Sequence, residues 1–245
     1  MKAPQNIFGI RAIIEAIEAD KEIAKVYLLK TGDGVLFQEL KKLCTARNIA
    51  TSFVPVEKLD HMANGNHQGA VATISPVSFH DLEELLESLD PDDKNVILLL
   101  DGVTDVRNFG AILRTAECTG VKAVVIPENG SAPVNAATIK TSAGAAFNIT
   151  ICKVNHIKDA VYVLQSYGIA TAAADEKAEK LVYETNLNKS IAIIMGSEER
   201  GVNPSTLKVV DHHFKLPIRG SIASLNVSVA CGAILYEVVR QQTYS

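Results

Sequence analysis

Five consecutive apolar residues, Val96-Ile-Leu-Leu-Leu100, constrain the fold of this chain more than any other feature. A strand with one face in water alternates polar and apolar side chains. An unbroken run marks a strand covered on both faces, as in parallel sheets flanked by helices. The segments that follow fit that reading: a helix over about 109–119 stopped by Gly120, strands at 121–126 and 149–154, a helix at 156–167, a strand at 169–174, strands at Ile191–Met195 and 213–218, and a long helix over about 224–242. Alternating strands and helices define an α/β domain with a parallel sheet. Residues 1–75 read as a smaller α/β unit. It has a helix over 7–20, strands from Lys25 and over 49–56, a helix over 35–47, a loop around His61 to His67, and an alternating strand Ala70–Ile74. Residues 76–95 are acidic, hold two prolines and read as a linker with a short polar helix over Leu82–Leu89, leaving 96–245 as the larger domain.

Composition removes several function classes. Cys44, Cys118, Cys152 and Cys231 are scattered, without a CxxC pair or a histidine at ligand spacing, so neither a disulfide framework nor a structural metal site is expected. Small core residues in a reducing, cytoplasmic setting fit them better. Met1 to Phe8 lacks the basic-then-apolar pattern of a signal peptide. The longest uncharged stretch, Gly220 to Tyr236, carries Ser221, Ser224, Asn226 and Ser228 and is shorter than the ~20 apolar residues that span a bilayer. The net charge of −4 argues against binding nucleic acid by bulk electrostatics. Residues 1–79 hold nine basic against eight acidic side chains, and the rest 15 against 20. Any RNA chemistry must therefore concentrate its cations locally, with Arg107, Lys140, Arg200 and Arg219 as candidates.

Ligands of open α/β sheets bind beyond the carboxyl ends of the strands, and three such ends carry unusual residues. In the first, Asp101-Gly-Val-Thr-Asp-Val-Arg-Asn108-Phe-Gly110 leads into a helix with Asn108 at the N-cap position, and Arg114 stands three residues before Glu117, within pairing reach. In the second, Ile193-Ile-Met-Gly-Ser-Glu-Glu-Arg-Gly201, two glycines allow backbone to approach a ligand closely. In the third, Leu216-Pro-Ile-Arg-Gly220 precedes Ser224-Leu-Asn226-Val-Ser228, with Ser224 as a helix N-cap. The helix after it is apolar on nearly every face and must be buried, within the fold or between subunits. Taken singly, the first segment reads as an ordinary capped helix with a surface ion pair and the second as a strand-to-helix turn, rather than as sites.

Together, in this order, they resemble the three motifs of the SpoU-type RNA 2'-O-methyltransferases of the SPOUT superfamily: Asn-x-Gly then Arg (Asn108, Gly110, Arg114), Gly-Ser-Glu-x-x-Gly (Gly196 to Gly201), and Pro-x-x-Gly followed by Ser-Leu-Asn-Val-Ser (Pro217 to Ser228). Phe8-Gly-Ile-Arg-Ala and His67-Gln-Gly-Ala-Val-Ala are similar to the L30e-like substrate-binding domain that precedes the catalytic domain in the family's ribosomal RNA guanosine methyltransferases. Val106 stands where the family usually has proline, and Phe147 where relatives often carry Glu.

The resemblance implies a catalytic domain tied in a deep trefoil knot, which general rules of topology would not suggest. It also implies a homodimer, no membrane and no metal, with S-adenosylmethionine as cofactor and ribosomal RNA as partner. It assigns catalysis to Asn108, Arg114, Glu198, Ser224 and Asn226. Cofactor contacts fall to Met195, Gly196, Leu216, Pro217, Ile218, Ser224 and Leu225, largely through main chain. His67, Gln68, Arg107 and Arg240 become candidate RNA contacts. For His67 and Gln68 a turn before a strand is an equal reading, and for Arg240 a cation near a helix C-terminus. The rivals are the same chemistry on transfer RNA or another ribosomal nucleotide, a catalytically silent RNA-binding protein, and a nucleotide-dependent oxidoreductase. The last is disfavoured because no GxGxxG follows a strand.

Overall fold

The computed structural model describes residues 6–63, 65–221 and 224–244. The chain divides into two compact units, residues up to 78 with 133–137, and residues 79–132 with 138–245.

The first unit runs β1 (Asn6–Phe8), α1 (Ile10–Glu18), β2 (Ile23–Leu29), α2 (Val35–Ala46), β3 (Thr51–Val54), α3 (Val56–Met62) and β4 (Ala70–Ile74). Its sheet has the order β1-β4-β2-β3, with β4 antiparallel to both neighbours and β3 parallel to β2. Alternation sorts the strands' side chains between two cores. Val26, Leu28, Ala70 and Ala72 pack under Ile10, Ile13, Ile14 and Ile17 of α1 and Phe37, Leu40 and Cys44 of α2. Val71 faces the other way, onto Val54 and Leu59. Two expectations are corrected here. The segment expected as one helix from residue 7 begins with β1, whose Asn6 to Phe8 pair with Thr73 to Val71. The strand expected over 49–56 ends at Val54, because Pro55 lacks the N–H to continue a ladder and instead precedes α3.

The second unit runs α4 (Leu82–Ser88), β5 (Val96–Asp101), α5 (Val106–Cys118), β6 (Ala123–Pro127), α6 (Ala136–Thr141), β7 (Thr150–Val154), α7 (Ile157–Ser166), β8 (Ala170–Ala174), β9 (Ile191–Gly196), α8 (Pro204–Leu207), β10 (His212–Phe214) and α9 (Val227–Tyr244). All six strands are parallel, in the order β10-β8-β9-β5-β6-β7. β5 and β9 lie at the centre and are buried on both faces, as their composition requires. Ile97, Leu99, Val125 and Ile194 pack against Leu82 and Leu86 of α4 and Ile157, Val161 and Leu164 of α7. The region expected as a linker thus contributes α4 to this core, with Asp81 capping it through Glu83 N and Glu84 N. β10 stops at Phe214, short of the expected 218. Lys215 makes only an isolated bridge to Leu181, and Pro217 has no N–H to offer.

The end of α9 is held by a buried polar cluster. Glu237 accepts from Arg240 Nε and Nη2, both at 2.8 Å, and from Gln241 Nε2 at 2.8 Å. Gln241 also donates to Thr185 O and accepts from Leu187 N at 2.8 Å. Arg240 hydrogen bonding holds the Glu237 carboxyl below its ordinary value, against burial, which pushes it up. A carboxylate lowered in this way stabilises the fold fully above its unfolded pKa, and the contribution is lost as pH falls through the folded one. Stability of Glu237→Gln relative to wild type, followed by urea unfolding, is therefore expected to be lowest near neutrality, with the gap closing in acid. Gln241→Ala leaves the buried Leu187 N–H unpaired and should cost about 1–3 kcal/mol at any pH.

Candidate active site at the carboxyl ends of the parallel strands

Because the sheet is parallel, the segments following β5, β9 and β10 emerge on one edge. Their local geometry is set by short polar contacts. Asp101, ending β5, accepts from Asn203 N at 3.0 Å and Thr206 Oγ1 at 3.1 Å, which ties it to the loop after β9. That loop closes on itself through Ser197 N to Gly201 O and Gly201 N to Ser197 O, with Ser197 Oγ accepting from Arg200 N. A Cβ on Gly196 would overlap the backbone of Gly201 and Val202, so only glycine permits the closure. The folded-back turn leaves Glu198, Glu199 and Arg200 exposed at its tip.

Three of the expected catalytic side chains meet there. Asn226 Nδ2 donates to Asn108 Oδ1 at 2.9 Å and to Glu198 Oε1 at 2.6 Å. Asn226 Oδ1 accepts from Ser228 N, Ser228 Oγ and Val229 N. One amide thus caps α9 and links it to α5 and to the β9 loop. This corrects the expected capping pattern twice. The N-cap of α9 is Asn226, not Ser224, because the helix begins at Val227. The N-cap of α5 is Asp105, whose Oδ1 accepts from Arg107 N and Asn108 N at 2.9 Å. Asn108 lies one turn inside α5, so its side chain is free to face Asn226.

The other expected residues distribute as follows. Arg114 is exposed on α5, as is Arg107, and among the described residues neither enters an ion pair; Arg114 and Glu117 do not pair. Ser224 and Leu225 are exposed just before α9; Ile222 and Ala223 lie outside the described residues. Met195 is buried at the end of β9. Leu216 is half-buried, while Pro217 and Ile218 are exposed. Arg240 is about 20 Å along α9 from Asn226 at 1.5 Å per residue, and two of its nitrogens are engaged by Glu237. In the first unit, His67 Nδ1 accepts from Gly69 N at 2.9 Å, which leaves Nε2 to donate to Asp60 Oδ1 at 3.1 Å. His67 therefore organises the turn into β4, while Gln68, at φ +52°, is exposed. Sequence reasoning missed Asp101 and Asp105. The signal for Asp105 was an acceptor immediately ahead of a helical register that starts at Val106 rather than at 109.

The expected cofactor residues Leu216 to Ile218 and Leu225 combine free main chain with exposed aliphatic carbon. Leu216, Pro217 and Ile218 make no main-chain hydrogen bond to another described residue, which leaves polar groups beside the exposed apolar side chains of Ile218 and Leu225. Among the described residues, no three His, Cys, Asp or Glu side chains group as a metal site, and no helix is long and apolar enough to cross a membrane.

Comparison with known proteins agrees with this architecture. Residues 95–236 match the SpoU rRNA Methylase family, and residues 6–80 match the RNA 2'-O ribose methyltransferase substrate-binding domain. The 23S rRNA (guanosine-2'-O-)-methyltransferase RlmB of Vibrio cholerae is 35% identical over 239 residues, 96% of each chain. The SpoU methyltransferase AviRb of Streptomyces viridochromogenes, solved with AdoMet, superposes with a TM-score of 0.63 at 21% identity over 98% of this chain and 91% of that one. The TrmH/SpoU tRNA modifying enzyme of A. aeolicus gives a TM-score of 0.57 at 30% identity, over 66% of this chain and 82% of its own. The chain belongs to the SpoU methylase family of RNA methyltransferases.

The Asn226 bridge yields a direct test. Asn226→Ala removes the α9 cap and both links, and should lower stability by about 1–2 kcal/mol. Asn226→Asp keeps a capping oxygen but sets a carboxylate against Glu198. Adding Glu198→Gln should recover most of that loss, because the new amide donates back. Thermal unfolding of the single and double variants measures the coupling, and additive losses mean that the bridge contributes nothing.

Proposed function

We propose that this protein transfers the methyl group of S-adenosylmethionine to the ribose 2'-OH of a guanosine in 23S ribosomal RNA, in the cytoplasm. The observation that carries the target is the full-length likeness to a 23S rRNA guanosine methyltransferase, which extends through the substrate-binding unit as well as the catalytic one. Bound at the edge formed by Met195-Gly196, Leu216 to Ile218 and Ser224-Leu225, S-adenosylmethionine supplies a methyl group already activated on a sulfonium.

The chain's own task is then to hold the ribose in line and to stabilise charge on its oxygen. Arg114 does the second. A guanidinium is protonated at any working pH and serves as a hydrogen-bond donor to the hydroxyl oxygen, not as a base. Its exposure, and the lack of an ion pair to it among the described residues, leave its donors available. The Asn108–Asn226–Glu198 cluster fixes the start of α9 against α5 and so holds the Ser224-Leu225 segment at the site. Arg107 supplies positive charge for RNA phosphate.

The same reading includes a homodimer. Val229, Ala233 and Tyr236 form an exposed stripe on α9 at helical spacing, with Val229 and Tyr236 more than half exposed, and a second copy covers it. It also includes the trefoil knot. β10 lies outside β8, yet the chain returns from it to Asn226 beside α5, which takes it back across the strand ends.

The test is methyl transfer from labelled S-adenosylmethionine to ribosomal RNA lacking its own ribose methylation, followed by nucleoside identification. Label is expected in 2'-O-methylguanosine. Arg114→Ala should lower the single-turnover rate by about 10²–10³, as for loss of an oxyanion donor. Label in another nucleoside, or only in transfer RNA, overturns the target. A near-normal rate for Arg114→Ala overturns the role of the arginine.

A further inference from the structure

Of the four phenylalanines in the second unit, Phe109 and Phe214 are fully buried and Phe79 lies beneath the Lys153 ammonium, 3.6 Å from its ring centroid. Phe147 is 61% exposed. A phenyl ring carries no polar atom to gain from water, so the burial its counterparts obtain is forgone.

The ring does not hang from a loose loop. It ends a 3-10 turn, Ala145–Phe147, that packs against α5. Its backbone is pinned by Phe147 N to Gly144 O at 3.0 Å, Ala146 N to Ser142 Oγ at 3.3 Å and Ile149 N to Ala145 O at 3.1 Å. Ser142 is fully buried, as are Ala145 and Ala146 nearly so. The segment that leads into the turn meets α5 at Gly110, where a Cβ would overlap the Thr141 side chain, and Thr141 Oγ1 donates to Val106 O at 3.3 Å.

Helical geometry then relates this turn to the reaction centre. At about 100° per residue, Arg114 and Arg107 lie roughly 40° and 60° around α5 from Gly110, while Asn108 and Thr115 lie roughly 160° and 140° around. Asn108 and Thr115 are on the side that meets α9, through Asn226 and next to Gly232. The exposed arc carrying Arg114 and Arg107 is therefore flanked on one side by Thr141 and Ser142, which lead into the Phe147 turn packed on α5, and on the other by α9. Lys140 is exposed in the last turn of α6. Glu117 lies near Gly110 as well, so this flank suits the face of a base better than a phosphate.

We propose that Phe147 is the stacking platform for an RNA base at or next to the methylated nucleotide, a preformed aromatic surface beside Arg114. The proposal rests on the reading of the protein as an RNA methyltransferase. Unpaired bases bind aromatic faces irrespective of sequence, and a rigid ring loses little freedom on doing so.

The chain contains no tryptophan and six tyrosines, so Phe147→Trp places a single tryptophan at the platform, excited selectively at the red edge of its absorption. In the full-length protein, ribosomal RNA is expected to quench its emission, whereas S-adenosylmethionine alone is not. Phe147→Ala should raise KM for RNA by about 5- to 100-fold, the effect of losing one base–aromatic stack, with KM for S-adenosylmethionine and the unfolding midpoint unchanged. Phe147→Tyr should restore the RNA KM. Unchanged emission at saturating RNA, or an unchanged RNA KM in Phe147→Ala, overturns the proposal. So does emission that follows protein dilution rather than RNA, together with a shift of Phe147→Ala to monomer in sedimentation, because the ring then belongs to a contact between copies. Wild-type protein that binds RNA but methylates none overturns the function and leaves the quenching readout to decide the platform.

Discussion

Burial of β5 and β9 on both faces leaves no room for chemistry along the strands. Ile97 to Leu99 and Ile191 to Ile194 are fully enclosed, and an unpaired polar side chain among them would carry its whole desolvation cost. Polar function is therefore displaced to the strand ends, where the first available positions are Asp101 after Leu100 and Ser197 after Gly196. Both are used to shape backbone. Asp101 pins Asn203 and Thr206, and Ser197 closes on Gly201, so the loop after β9 folds back tightly enough that position 196 has no space for a Cβ. The glycine there is a consequence of that closure.

On this edge a single amide joins segments far apart in the chain. Asn226 has two N–H donors and gives one to Asn108 and one to Glu198; its oxygen is taken by the start of α9. With its donors both used, the side chain has one orientation, which fixes three elements relative to one another. It also explains why the three motifs carry little meaning singly. Asn108 alone is a polar residue near a helix start, Glu198 a charge in a turn, and Asn226 a cap. Their shared function exists only in the hydrogen bonds between them, which no spacing within one segment encodes.

The sheet was legible because buried parallel strands have a one-dimensional signature. Val96–Leu100 and Ile191–Met195 are apolar without alternation, and their positions follow directly. Boundaries were less legible where one atom decides. Asp105 and Asn108 are equally good caps by type, and the helix starts where the Asp105 carboxylate takes the free N–H groups of Arg107 and Asn108, a choice that residue type alone does not make. Residues 76–95 look polar in sum, yet Leu82 and Leu86 at helical spacing suffice to bury one face of α4. Arg240 invited an RNA role by position, but its pairing with Glu237 depends on a carboxylate buried three residues earlier, inside what reads as an apolar helix. Phe147 was visible as a residue and silent as a surface, since exposure is a property of the fold.

The engagement of Arg240 narrows how an acidic chain can hold RNA. With a net charge of −4, the protein has no general field to draw in a polyanion. Two nitrogens of one of its arginines are already committed to Glu237, anchoring the end of α9. What the catalytic unit offers locally is a handful of exposed cations, Arg107 and Arg114 on the open arc of α5, Arg200 at the tip of the β9 loop, Lys140 and Arg219, few for affinity resting on phosphate contacts alone. An enzyme so equipped must obtain the rest of its grip from interactions that do not depend on charge. Stacking and hydrogen bonding to exposed bases meet that need, and they carry information about which nucleotide is presented, which phosphate contacts lack. In a catalytic unit of this charge, the interactions that supply affinity are also the kind that can discriminate between nucleotides.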